Sequence, residues 1–208
     1  MGWKESFKRD AREKQGLKAL KYFNRNSFDV RKKYLNSIIK DKNKLILDLG
    51  CGSGEIVEDI SEVNKVIGID FVPEFLKKAR FDTIEGDVNN LPLKNNMFDV
   101  VLGVNLFQYI NDKNKVVDEG YRVLKNGGKI YINILNRSCI ISSLILLFKK
   151  EKEDRKTLKE LKELVGRKFK IVKYGYIPIL PNKTLQTLFG LLFKNKFLAY
   201  DVYVTGEK

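Results

Sequence analysis

A chain of 208 residues has room for one α/β domain with a sizeable core and is short for two. Its two cysteines, Cys51 and Cys139, argue against a disulfide scaffold, and the lack of any histidine removes the commonest metal ligand together with the commonest general base, so no zinc site is expected. The net charge of +14 is uneven: residues 1–44 hold 14 Lys and Arg against 5 Asp and Glu, residues 45–136 hold 10 against 14, and residues 137–208 hold 16 against 7. A mildly acidic centre thus lies between two basic flanks. The opening charges are followed by no apolar run, so no secretory signal is expected, and the longest apolar stretch, 139–148, is well short of the roughly 20 residues a bilayer span needs. These features favour reduced thiols in a cytoplasmic protein, with a peripheral membrane position open to it through the basic flanks.

In chain order, the first fifteen residues read as frayed or loosely helical. Residues 18–40 carry a helical stripe of Val30, Tyr34, Leu35, Ile38 and Ile39. A strand-length apolar run from Leu45 to Leu49 is followed at once by glycines at 50, 52 and 54, and then by Ile56, Val57 and Ile60 at helical spacing. That is a strand, a tight turn and a helix. A second apolar run, Val66 to Ile69, ends on Asp70. Pro73 opens a helix that turns Phe75, Leu76 and Ala79 inward, residues 82–85 form a short third strand, and Val100, Val101 and Leu102 make a fourth, buried one. The helix holding Val116, Val117, Tyr121, Val123 and Leu124 is expected to stop at Asn126-Gly127-Gly128, before a fifth strand over 129–135. Helices over 137–150 and 154–165, a sixth strand over 169–174, an apolar helix with Leu185, Leu188, Phe189 and Leu192, and a last strand over 199–205 complete the chain. The whole reads as one domain, 1–208: a helical leader (1–43), a ligand-binding core (44–136), a helical insertion (137–168) and C-terminal strands and helix (169–208).

The turn defines the ligand. Glycine suits it because a side chain would hold the backbone away from a bound molecule and because a positive φ is needed there. Asp70, twenty residues after Gly50, ends the next strand where a carboxylate can accept two hydrogen bonds from a ribose diol, so a nucleoside is expected. A pyrophosphate turn would run G-x-G-x-x-G, whereas here Glu55 stands in place of that pattern's last glycine. Asp48 and Glu55 also put negative charge where a pyrophosphate would lie, so a cationic ligand fits better.

Leu47-Asp48-Leu49-Gly50-Cys51-Gly52-Ser53-Gly54 resembles the first motif of the class I S-adenosylmethionine-dependent methyltransferases. Gly68-Ile69-Asp70-Phe71 resembles their ribose-binding acid, and Ile84-Glu85-Gly86-Asp87-Val88 their third-strand acid. Residues 98–105 and 121–128 resemble the fourth strand and the approach to the fifth. Motif order and spacing agree over residues 44–135. The resemblance implies a doubly wound, Rossmann-like seven-stranded α/β sheet of order 3-2-1-4-5-7-6 with the last strand antiparallel, and S-adenosylmethionine as cofactor. It places the backbone of Gly50 and Gly52 around the methionine part, with Asp48 near its ammonium and Cys51 and Gly54 of the same turn also at the cofactor. Asp70 would hold the ribose, Phe71 lie beside the adenine, Asp87 and the Val88 amide read the adenine edge, and Asn105 close the floor.

For the methyl acceptor, the run Asn105-Leu106-Phe107-Gln108 lacks the Asn/Asp-Pro-Pro-aromatic turn of many amino-methylating relatives and is more similar to the small-molecule and quinone-type branch, without the histidine often found near Gln108 or Tyr109. Gln108 and Tyr109 are candidates to orient an acceptor. Tyr22 and Phe23 in the leader, and the apolar runs 140–148 and 185–193, are candidates to close the site. The expected acceptor is an apolar or lipid-like small molecule. The alternatives are an RNA methyltransferase gripping phosphates with the basic flanks, a non-catalytic cofactor-binding scaffold and, against the turn spacing, a nicotinamide dehydrogenase.

Overall fold

The computed structural model describes residues 3–14, 25–140, 154–179 and 196–208. Its helices are α1 (Trp3–Glu13), α2 (Arg25–Ile38), α3 (Glu58–Ser61), α4 (Pro73–Leu76), α5 (Lys113–Val123) and α6 (Leu158–Gly166). The strands are β1 (Leu45–Leu49), β2 (Lys65–Asp70), β3 (Asp82–Glu85), β4 (Phe98–Gly103), β5 (Leu124–Leu135), β6 (Lys170–Ile177) and β7 (Asp201–Glu207). They form one seven-stranded sheet in the order β3-β2-β1-β4-β5-β7-β6. The pairs from β3 to β5 are parallel, and β7 runs antiparallel between β5 and β6, as the motif order implied.

Both sheet faces are covered, which is why the central strands are apolar on consecutive residues. On one face Leu47, Leu49 and Val101 pack with Val116 and Val117 of α5 and with Leu161 and Val165 of α6. On the other, Ile46, Leu102 and Tyr131 pack with Phe28 and Leu35 of α2 and Ile60 of α3. The strand order reverses between β1 and β4. A crevice opens there, outside the carboxyl ends of the strands, where sheets of this kind bind ligands.

Several expected boundaries move, for identifiable reasons. The first residues are not frayed: α1 is a regular helix whose Ser6, Asp10 and Ala11 are buried, with Ala11 packed against Val72 and Phe75. The helix before the fifth strand ends at Val123, not at the glycine pair, and β5 begins at Leu124. Gly127, at φ 74°, is a bend inside extended chain, held because Gly127 and Lys208 exchange one backbone bond and Lys208 and Gly128 another. The charged helix starts at Leu158 because Thr157 and Glu160 form a reciprocal capping box. Residues 154–156 before it run extended instead, with Lys156 N–H donating to the Leu135 carbonyl. β6 runs on to Ile177, and β7 is shifted two residues toward the C-terminus relative to the periodicity reading. Tyr22, Phe23 and the apolar segments over 141–148 and 185–193 lie outside the described residues. Among the described residues no helix is long and apolar enough to cross a membrane.

Candidate active site

The turn after β1 is tied to β2 by two amides, Gly50 N–H and Cys51 N–H, which both donate to the Ile69 carbonyl at 2.7 and 3.1 Å. Gly50, Gly52 and Gly54 all have positive φ, at 65°, 54° and 81°. At Gly50 the requirement is double, since a Cβ there would also stand 2.7 Å from Leu106 Cδ1. Gly50→Ala is therefore expected to cost about 1–3 kcal/mol through strain and overpacking and to push Leu106 from its place. Thermal unfolding checks the cost.

Asp70, buried at the end of β2, clamps the turn to the chain beyond it. Its Oδ2 accepts from Gly52 N–H at 2.9 Å and its Oδ1 from Val72 N–H at 3.0 Å. A carboxylate has about four lone-pair directions, so acceptor capacity remains for a ligand beside the backbone amides. Burial pushes the Asp70 carboxyl above the usual carboxylate range, opposed by the amides of Gly52, Val72 and Phe71. Asp48 is 1% exposed, and among the described residues its Oδ2 has no hydrogen-bond partner. Burial, with repulsion from Asp70, pushes its carboxyl up to about 8. Burial and the same two carboxyls raise the Cys51 thiol, which is thereby kept from acting as a thiolate.

The cavity over this turn is lined by Gly50, Cys51, Gly52, Asp70, Phe71, Asp87, Val88 and Asn105, so eight of the ten residues singled out from the sequence share one wall. The other two lie behind it. Side chains alternate along a strand, so Asp48 shares the side of Ile46 and sits beneath the turn. Gly54 faces Phe81, whose ring would stand 2.7 Å from a Cβ placed there. Asp87 reaches the cavity with its carboxylate already engaged: Oδ1 accepts from the Asn89 backbone at 2.9 Å and side chain at 2.7 Å, and Oδ2 pairs with Lys4 Nζ at 3.5 Å. The Asn89 amide holds its carboxyl below the usual range. Both partners of the Lys4–Asp87 pair are about half exposed, so Lys4→Ala is expected to change stability by no more than about 1 kcal/mol in a melting experiment.

Sequence reasoning missed the lid. Helix α1 lays Phe7 edge-on against Phe71, at 6.4 Å between ring centroids, and against Tyr109, at 4.9 Å. Lys4 and Phe7 line the cavity together with Phe28, Phe75, Leu106 and Ile110. The apolar positions of α1 carried a signal, but its partners lie 64 and 102 residues away. Gln108 is buried and donates its Nε2 to the carbonyl and the side chain of Asn105, whereas Tyr109 faces the cavity.

A reversed-order parallel sheet with a positive-φ glycine turn and an acid closing the next strand defines a nucleoside-binding α/β domain. Residues 47–132 match the methyltransferase domain family. The chain is 32% identical over 144 residues to an uncharacterized protein of Methanocaldococcus jannaschii, covering 68% of this chain and 61% of that protein. It is 28% identical over 120 residues to a ubiquinone biosynthesis O-methyltransferase of Xanthomonas axonopodis pv. citri, covering 52% of this chain and 50% of that enzyme. The chain therefore spans 50–61% of the length of these curated relatives. A S-adenosylmethionine-dependent methyltransferase of Thermotoga maritima has the same fold, with a TM-score of 0.71 at 19% identity over 88% of this chain and 90% of that one. Residues 47–132 thus match a methyltransferase domain, and the fold around them is the one seen in S-adenosylmethionine-dependent methyltransferases, whose cofactor is S-adenosylmethionine.

The residues present fit that cofactor. A buried carboxyl oxygen at Asp48 without a partner among the described residues and a second carboxylate with open lone pairs at Asp70 together favour a ligand with cationic centres and a diol, and the glycine turn leaves backbone within reach of it.

Proposed function

We propose that this chain transfers a methyl group from S-adenosylmethionine to an apolar or lipid-like small molecule. The observation that carries the acceptor class is the apolar part of the cavity lining, built from Phe7, Phe28, Phe75, Tyr109 and Ile110. Such a wall strips water from an apolar acceptor and gives a polynucleotide few partners. The similarity to a ubiquinone biosynthesis enzyme over half the chain supports the same class.

In this reading the backbone of Gly50, Cys51 and Gly52 would hold the methionine part of the cofactor, with Asp48 beneath its ammonium and Gly54 shaping the turn. Asp70 would hold the ribose, Phe71 would lie beside the adenine ring, and Asp87 and Val88 would read the adenine edge, with Asn105 as the floor. When bound, the cofactor supplies an electrophilic methyl group on a positively charged sulfur. The chain's own work is then alignment and exclusion of water. Alignment in well-ordered systems is worth about 7–11 kcal/mol, enough for a displacement whose leaving group needs no protonation. Phe7 and Tyr109 close the cavity on the acceptor side, and with no histidine in the chain any proton leaving the acceptor passes to a carboxylate, a tyrosine or water.

Incubation with methyl-labelled S-adenosylmethionine and either a total lipid extract or total RNA tests the acceptor class. Label in the lipid fraction and none in RNA is expected; the reverse overturns the reading in favour of the basic flanks gripping phosphate. Tyr109→Ala should raise the acceptor KM about 10- to 100-fold, the worth of one buried aromatic contact, while leaving affinity for S-adenosylhomocysteine within about twofold. Steady-state kinetics paired with calorimetry separates the two.

A further inference from the structure

Behind the cavity floor, a buried polar chain crosses the sheet. Arg31 of α2 makes a two-pronged pair with Asp201 of β7, Nε to Oδ2 at 2.6 Å and Nη2 to Oδ1 at 2.9 Å. Asp201 Oδ2 also accepts from Asn133 Nδ2 of β5 at 2.9 Å. The other end of that amide, Asn133 Oδ1, accepts from the Asn105 backbone N–H at 3.0 Å. Arg31, Asp201 and Asn133 are 4%, 0% and 1% exposed. At the end of the chain Asn105 has a φ of 54°, a left-handed conformation uncommon for a residue with a side chain. The next residue, Leu106, packs against Gly50 of the turn.

The ion pair has no evident purpose in stability. A buried pair of this kind seldom outperforms apolar side chains of the same volume, so its presence in the buried interior calls for another reason. The geometry supplies one. A carboxylate can only accept, so Asp201 forces Asn133 to turn its Nδ2 inward and its Oδ1 toward Asn105. Arg31 in turn fixes the carboxylate in one orientation. An amide so oriented is the acceptor that Asn105 N–H needs in its left-handed conformation, and Gln108 secures the same residue from the opposite side through its carbonyl and side chain.

We propose that Arg31, Asp201 and Asn133 are positioning residues, a buried relay that holds the Asn105–Leu106 floor in the shape that accepts the cofactor. The proposal rests on the cofactor reading above and adds that α2 and β7, which contribute none of the cofactor-contacting residues assigned there, set the affinity of the site. The relay explains why a charged pair joins residues 170 positions apart at the back of a cavity that neither of them lines.

Two variants and a control test it. Asn133→Leu removes both bonds of the amide in nearly the same volume. The double variant Arg31→Met, Asp201→Leu removes the charges together and leaves no unpaired ion, while Asn133 Nδ2 loses the acceptor that orients it. Val165→Ala, on the buried face of α6, is the control for a general loss of stability. Each is read by melting temperature, by amide hydrogen exchange at Asn105 and Leu106 in the ligand-free protein, and by calorimetric titration with S-adenosylhomocysteine. The expected result is faster exchange at Asn105 and an affinity about 10- to 100-fold lower in both relay variants, beyond any change that Val165→Ala shows at a comparable melting temperature. Unchanged exchange and affinity in the folded double variant overturn the proposal. So does a loss of affinity that merely tracks melting temperature as in Val165→Ala, or the failure of both relay variants to fold. If the parent itself takes up no S-adenosylhomocysteine, the cofactor reading has failed and the relay's role in affinity with it, and the exchange data then show separately whether the chain still holds Asn105.

Discussion

Asp70→Ala is expected to lower affinity for S-adenosylhomocysteine by at least about 100-fold and to destabilise the fold by about 2–4 kcal/mol, because one carboxylate performs two tasks. It closes the glycine turn on itself through Gly52 N–H and Val72 N–H, and its free lone pairs face the cavity. Hydrogen bonds to a charged group are each worth about 1.5–3 kcal/mol, and the variant leaves two buried amides without an acceptor. Asp70→Asn separates the tasks: its single carbonyl oxygen can satisfy one amide, so stability should recover in part while ribose recognition stays impaired. Calorimetry and thermal unfolding, run side by side, give both numbers. Binding within twofold of the parent for Asp70→Ala would remove Asp70 from the site.

A second large effect is expected from pH. The Asp48 carboxyl lies near 8 in the folded chain and near 4 when unfolded. Between those values the folded state holds a proton that the unfolded state has released, so stability falls as pH rises through this window, by up to about 1.4 kcal/mol per unit, and levels off above pH 8. Asp48→Asn has no such proton. It should match the parent near pH 4 and exceed it by a few kcal/mol near pH 8 in denaturant titrations. Ligand binding should run the other way, since an ammonium drawn to Asp48 favours the ionised carboxylate. At pH 7 the parent is expected to release about one proton on binding and Asp48→Asn none, read as a dependence of the binding enthalpy on the buffer's own ionisation enthalpy. Parallel stability profiles and a buffer-independent enthalpy in the parent would count against a buried neutral Asp48 beneath the ligand.

The parts of the molecule legible in the sequence are those whose causes are local. Three glycines on alternate positions after an apolar run could only make a turn with left-handed backbone, and all three have it. The sheet order follows from the sequence of motifs rather than from any one of them. Asp87 illustrates a half-legible residue: its place on the cavity wall followed from its motif, but its pairing with Lys4, 83 positions earlier, did not. The boundary errors arose where tertiary pairing overrode a local signal. Gly127 reads as a helix stop, yet its bonding with Lys208 draws it into a strand. The lid was hidden because short apolar stripes near a chain end look alike whether they fray or pack, and only Phe71 and Tyr109, brought up by the sheet, decide for packing. The relay from Arg31 to Asn105 was illegible for the same reason in stronger form. Of its four members only Asn105 stands in a motif, and their meaning comes from meeting across a helix, two strands and the loop after β4.

The central claim, that the pocket between the glycine turn and Asp70 takes S-adenosylmethionine, is tested most directly by titrating the purified chain with its demethylated product, S-adenosylhomocysteine, in a calorimeter. Saturation at about one molecule per chain, with a raised melting temperature that Asp70→Ala does not share, is the predicted result. No saturable heat and no change in melting temperature at millimolar ligand would contradict it.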